Sequence, residues 1–278
     1  MTKMKLHILH TGKVSVSPGL PFKDTAKYPT TKDLLADKQR LWLPVSAYLI
    51  EHPQGLALFD TGWSREIAPR GDFDREAQIR HMTELHFTLG PGELPLGESA
   101  AEQLAAMGIK TSQIDYVVLS HLHTDHASAL RDVRDAQHII VSREEWQDTL
   151  DNPRHYASDM WRGVDVQTFD FAETGIGPVG RSFDLFGDGR IQLVHIPGHT
   201  NGLCAMKLTG SDGRFILLFA DGGYDRRSWE QMIPPGTSLN EEQLMQSLQW
   251  IREQSLDANC TVSLANHEMQ VPAFHYEL

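Results

Sequence analysis

Ser120-His121-Leu122-His123-Thr124-Asp125-His126 places three imidazoles and a carboxylate within six positions, directly after the apolar run Tyr116-Val117-Val118-Leu119. That run reads as a short buried strand, which puts the cluster on the loop where the strand ends. Alternation in an extended backbone sets His121 and His123 on one side, and a turn brings Asp125 and His126 round to the same point. Imidazole nitrogen and carboxylate oxygen are the donors that Zn²⁺ and similar borderline cations prefer. A merely solvated His-rich loop would have no partners elsewhere in the chain.

Partners do recur. The strand-like run at 191–196 ends in Pro197-Gly198-His199-Thr200. The run at 215–220 ends in Asp221-Gly222-Gly223-Tyr224, and that at 261–264 ends in Asn266-His267-Glu268. Loops at strand ends on one rim of a sheet are where a rigid scaffold can gather groups around an ion. Asp60-Thr61-Gly62 closes another apolar run, 56–59. Asp60 is read as an acceptor for the second N–H of a metal-bound imidazole, as the cap of its own turn, or as both.

The elements that must carry these residues alternate strand and helix. Strands are expected at 5–10, 44–50, 56–59, 116–119, 137–141, 191–196, 203–208, 215–220 and 261–264, with hairpin turns at 52–55 and 210–213. Helices are expected at 99–107, from about Ser142 with Glu145 completing a capping box, and at 239–253 with Ser238 or Asn240 as cap. Segments 13–41 and 63–96 lack clear periodicity and are read as lid or pocket wall, with a disordered arm as the equal alternative for 13–41. No linker or repeat interrupts the chain, so residues 1–278 are read as one α/β domain of two similar halves.

The 278 residues are 40% hydrophobic and carry a formal net charge of −12. An acidic surface repels phosphate and argues against nucleic acid or an anionic membrane as partner. Cys204 and Cys260 are read as buried fillers rather than a disulfide. The first seven residues have no apolar core of a signal peptide, and no run is long enough to cross a bilayer, so a cytoplasmic setting is expected.

Taken together, His-x-His-x-Asp-His, Pro-Gly-His-Thr, an Asp after an apolar strand, a late His and Asp60-Thr61-Gly62 resemble the metallo-β-lactamase superfamily over about residues 44–267. The resemblance implies a four-layer αββα sandwich of two mixed sheets flanked by helices. It implies one divalent metal ion on His121, His123 and His199, a second on Asp125, His126 and His267, and Asp221 bridging them. Zn²⁺ is the expected ion, with Mn²⁺, Fe²⁺ or Co²⁺ as substitutes. Within the superfamily the chain is most similar to N-acyl homoserine lactonases, on residues 45–51, on Asp60-Thr61-Gly62 and on Tyr224, three places after Asp221.

That likeness implies a small lactone or ester substrate, and it allows a homodimer. A hydroxide shared by the metals would attack the carbonyl, Tyr224 would donate to the oxyanion, and Asp125 would pass a proton to the leaving oxygen. Two departures stand out: Asn201-Gly202-Leu203 lacks a second histidine common in those lactonases, and Ser128 stands where they often carry glycine. A thioesterase of the hydroxyacylglutathione type, a sulfatase or a phosphodiesterase would share the fold and the metals. A β-lactamase fits less well without an export signal. His81 and His86 lie in the segment read as pocket wall, with a core or surface role as the leading reading and a substrate contact as the alternative. Phe22, Trp42, Phe73 and Phe87 are read as core or as aromatics of a pocket. His7, His10, His52, His138, His155, His195 and His275 are read as surface or core residues.

Overall fold

The apolar runs pair much as their alternation requires. Strands β1 (Lys5–Val16), β2 (Leu41–His52) and β3 (Gly55–Phe59) are antiparallel neighbours, with the expected tight turn between β2 and β3. The two-residue β4 (Gly92–Glu93) pairs with β1. Strands β5 (Tyr116–Val118), β6 (His138–Ser142) and β7 (Val166–Phe169) continue the sheet from β3 in parallel. The second sheet takes β8 (Ala172–Glu173), β9 (Arg181–Asp184), β10 (Ile191–His195), β11 (Cys204–Thr209), β12 (Phe215–Leu218) and β13 (Cys260–Leu264). The C-terminal β14 (His275–Glu277) returns to the first sheet and pairs with the start of β1. In this computed structural model residues 3–25 and 39–278 are described.

Both faces of the first sheet's central strands are buried, which is why β3 and β5 read as largely apolar runs. Ile50, Phe59 and Val118 face the second sheet and share a core with Leu193, Met206 and Leu218. Their chain neighbours Leu49, Leu58 and Val117 point the opposite way, into a core shared with Met82 and Leu104. Those two belong to helices α1 (Arg75–Leu89) and α2 (Ala100–Ala106). The short α3 (Thr124–Ala127) follows β5, α4 (Arg143–Asp151) follows β6, and α5 (Arg226–Gln231) follows β12. Outside the second sheet, α6 (Glu241–Ser255) packs Leu248 and Ile251 into the same apolar cluster from the sheet's outer face. Two mixed sheets thus pack face to face with helices outside: the αββα sandwich.

The fold departs from the sequence reading in particular places. The 63–96 segment holds the 15-residue α1, whose pattern is broken because Thr83 leaves helical geometry at φ 77°. A β-branched residue there is strained. The 13–41 segment begins as strand, since β1 runs to Val16; residues 26–38 of the expected lid lie outside the described residues. The capping box at α4 is half formed. Ser142 Oγ accepts the Glu145 N–H at 3.1 Å, but the Glu145 carboxylate turns inward instead of back to Ser142. Cys204 and Cys260 are free thiols.

Candidate metal centre

Each strand end delivers its side chain by a short, constrained turn. After β5, Ser120 and His121 are fully buried and His123 is the N-cap of α3, so Asp125 and His126 fall in that helix's first turn. After β12 the chain passes through Ala220 at φ 44° and presents Asp221. Asp60 follows β3 at φ 59°. Left-handed backbone at non-glycine residues is costly, and it clusters here at the strand ends that carry carboxylates.

The seven sequence-nominated groups converge. His121, His123, His199 and Asp221 form one set whose donor atoms all lie within 4.8 Å of one another; Asp125, His126 and His267 form a second. In the first, His123 Nδ1 lies 3.1 Å from His121 Nε2 and 3.0 Å from His199 Nε2, and Asp221 Oδ2 is 3.4 Å from His199 Nε2. In the second, His267 Nε2 is 3.4 Å from Asp125 Oδ2 and His126 Nε2 is 4.0 Å from Asp125 Oδ1. Asp221 Oδ1 joins the sets, 3.2 Å from His126 Nε2 and 3.4 Å from His267 Nε2.

The outer hydrogen bonds decide which nitrogens face inward. Asp60 Oδ2 lies 2.9 Å from His126 Nδ1, 2.8 Å from Ser120 Oγ and 2.8 Å from Asn266 Nδ2, while Oδ1 accepts the Ser120 N–H at 2.7 Å. As an acceptor, Asp60 takes the proton of His126 Nδ1. Ser120 Oγ donates to Asp60, so it accepts from His121 Nδ1, 3.0 Å away. His267 Nδ1 donates to the carbonyl of Pro44 at 2.8 Å. In the neutral rings, the Nε2 lone pairs of His121, His126 and His267 therefore point at one another and at carboxylate oxygens. Asp221 Oδ1 and His126 Nε2 are buried without a hydrogen-bond partner. Such lone pairs repel unless positive charge lies between them, and these donors suit a divalent cation.

The electrostatics say the same. Burial lowers His126 and His267, yet the carboxylates of Asp221, Asp60 and Asp125 outweigh it at His126 and hold that ring well above its usual range; Asp221 and Asp125 raise His267 likewise. Burial and neighbouring imidazoles push His121 and His123 well below their range, and burial lowers His199. Against burial, the His126 and His267 rings hold Asp221 well below the usual carboxylate range. A site that draws protons onto two rings is one that attracts cations.

A cavity of about 360 Å³ opens beside this cluster, with His123, Asp125, His199, Asp221 and Tyr224 in its wall. The rest is mostly aliphatic, including Val14, Val16, Leu20, Leu89 and Leu239. Tyr224 stacks on His267 and faces the edge of His199, with ring centroids 4.9 and 6.4 Å apart. Burial, then Asp221 and Asp125, push its phenol well above the ordinary value, so it remains a donor.

Of His81 and His86, for which substrate contact is the alternative reading, His86 lines the cavity and His81 does not. His81 is held instead between Glu66 (3.0 Å) and Ser128 (2.9 Å), which gives Ser128 a structural partner. Phe22, Trp42, Phe73 and Phe87 are not in the wall. The sequence reading missed Arg154 and His155, which are; they lie on an irregular loop whose path follows from tertiary packing.

Residues 40–218 match the metallo-beta-lactamase superfamily. The chain is 27% identical over 228 residues to N-acyl homoserine lactonase AttM of Rhizobium radiobacter, covering 79% of this chain and 80% of that protein. It is 22% identical over 258 residues to an N-acyl homoserine lactonase of Bacillus sp, covering 91% and 89%. A solved N-acyl homoserine lactone hydrolase, with N-hexanoyl-L-homoserine at its catalytic metal center, superposes with a TM-score of 0.75 at 19% identity, over 97% of this chain and 95% of that one.

Proposed function

From the premise that the chain belongs to the metallo-β-lactamase superfamily, we propose that it is a dinuclear metal-dependent hydrolase that opens the ring of N-acyl homoserine lactones or similar lactones. His121, His123 and His199 would hold one divalent ion and Asp125, His126 and His267 the other, with Asp221 between, in keeping with the two clusters. Zn²⁺ suits these donors, with Mn²⁺, Fe²⁺ or Co²⁺ as substitutes. Such ions would supply Lewis-acid chemistry, lowering the pKa of a water towards neutrality and polarising the carbonyl.

The chain's own residues do the rest. The aliphatic wall takes an acyl chain and keeps bulk water from the floor of the cavity. Tyr224, held protonated, donates to the carbonyl oxygen as negative charge builds there. Asp125, whose side chain is 13% exposed, takes the proton from the attacking water and returns it to the ring oxygen as the C–O bond breaks. Asp60 keeps the His126 ring in one tautomer through the 2.9 Å bond at Nδ1. Free thiols at Cys204 and Cys260 suit a reducing, cytoplasmic setting.

One observation carries the reading: the Tyr224 phenol stands in the wall of an aliphatic cavity that also exposes the cation-attracting cluster. The test is a substrate panel on metal-replete protein, with N-acyl homoserine lactones, other lactones, acylglutathione thioesters, sulfate esters and phosphodiesters, followed by proton release. Turnover confined to lactones is expected. Faster turnover of a thioester, sulfate ester or phosphodiester reassigns the substrate and leaves the metal centre standing.

A further inference from the structure

Helix α4 lies outside the metal cluster, yet it carries a carboxylate that reaches both loops on which the first cluster depends. Glu145 is completely buried. Its Oε1 accepts the backbone N–H of Leu122, between His121 and His123, at 3.0 Å. Its Oε2 accepts the hydroxyl of Thr200, directly after His199, at 2.6 Å and the N–H of Gly202 at 3.2 Å. The same helix adds a second attachment one turn on. Asp148 Oδ1 accepts from Asn201 Nδ2 at 2.9 Å, and Asp148 Oδ2 accepts from the cavity-lining Tyr156 hydroxyl at 2.6 Å. Ser142 Oγ, which caps the helix, also donates to Gly202 O at 2.8 Å.

The approach leaves no slack. A Cβ on Gly202 would sit 2.1 Å from the Glu145 nitrogen and 2.4 Å from Ser142 Oγ. Among the described residues no Lys, Arg or His forms an ion pair with Glu145. A buried carboxylate without a counter-charge costs several kcal/mol in principle, so packing alone is a poor reason for it. The three donors it satisfies are spread over two loops separated by 78 positions between Leu122 and Thr200, and a carboxylate with two oxygens can bridge them where an apolar side chain cannot.

We infer that Glu145 is a positioning residue of the metal centre: its carboxylate fixes the loop of His121 and His123 against the loop of His199, and so sets the geometry of the first cluster. This rests on the metal-dependent reading above but not on the lactone. Groups that orient ligands from outside the coordination sphere typically cost about 10–100-fold in metal affinity when removed.

The test is competition for Zn²⁺ between a colorimetric chelator and the metal-stripped wild type, Glu145→Ala, Glu145→Gln and Thr200→Val proteins, with the melting temperature of each stripped protein measured in parallel. Glu145→Ala is expected to weaken Zn²⁺ binding about 10–100-fold, Thr200→Val about tenfold, and Glu145→Gln less than Glu145→Ala because the amide oxygen still accepts one bond. A role confined to packing would lower the melting temperatures and leave the Zn²⁺ affinity of the folded proteins unchanged. Wild-type affinity in Thr200→Val and in either Glu145 variant overturns the inference; should Glu145→Ala fail to fold, Thr200→Val and Glu145→Gln decide it. A wild-type protein that takes up no Zn²⁺ overturns the metal reading and this inference with it. One that takes up Zn²⁺ but hydrolyses no lactone overturns only the substrate.

Discussion

The Tyr224 ring lies almost flat on the His267 imidazole, with centroids 4.9 Å apart and planes 13° from parallel. The stack sets the phenol under the influence of the Asp221 and Asp125 carboxylates, outside the two candidate donor sets. Tyr224→Phe keeps the stack and removes only the hydroxyl. It should retain wild-type metal content and KM while kcat on lactones falls about 100-fold. Unchanged kcat/KM would remove the phenol from the mechanism.

Asp60 holds three elements at once, through Ser120, His126 and Asn266. In Asp60→Asn the amide nitrogen would face N–H and O–H donors, and His126 would lose the acceptor that fixes its tautomer. Metal affinity should fall about 10–100-fold. Isothermal titration of the stripped variant with Zn²⁺ checks this, and wild-type affinity would reduce Asp60 to a turn cap.

If an N-acyl lactone is the substrate, the aliphatic cavity wall would set a length limit on its acyl chain. Leu89→Trp should lower kcat/KM about tenfold for a decanoyl lactone and leave a butanoyl lactone close to wild type. Equal loss on both substrates would mean that the chain runs elsewhere.

Acid should weaken the fold at a defined point. Glu102 accepts two bonds from Arg65, at 3.1 and 2.6 Å, and closes a capping box with Ser99. Burial pushes its carboxyl up, but these partners win and bring it from 4.5 down to about 2. A carboxyl depressed on folding stabilises above its unfolded value, and the gain is lost as pH falls from about 4.5 towards about 2. Water screens the pair, so the contribution is about 1 kcal/mol or less. Glu102→Gln should lower the melting temperature slightly at neutral pH and flatten its decline between pH 5 and 2. A decline as steep as wild type would locate the acid sensitivity elsewhere.

What could be read in the chain follows from the physics of each part. His121, His123, Asp125 and His126 crowd one loop, and His199, Asp221 and His267 each close an apolar run; that spacing flags them, and the resemblance to the metallo-β-lactamase superfamily joins them into one set. The inner strands of the sandwich are legible because burial makes them largely apolar, whereas β4, β7, β8, β9 and β14, short and partly exposed, are not. Helix α1 is not, because the Thr83 kink breaks its period. Glu145 reads locally as a capping-box glutamate; its partners at Leu122, Thr200 and Gly202 are far away in sequence and nothing near Glu145 announces them. His81 and His86 look alike on one helix, yet only the fold turns one towards the cavity and the other towards Ser128.

The central claim is that the two donor sets hold a pair of cations that together open a lactone. Titrating Zn²⁺ into chelator-stripped protein, with bound metal and proton release from an N-acyl homoserine lactone read in the same sample, tests it most directly. The account predicts no hydrolysis without metal and a rise that reaches its plateau at two equivalents per chain. Full hydrolysis by the stripped protein, or two bound equivalents with no hydrolysis, would contradict it.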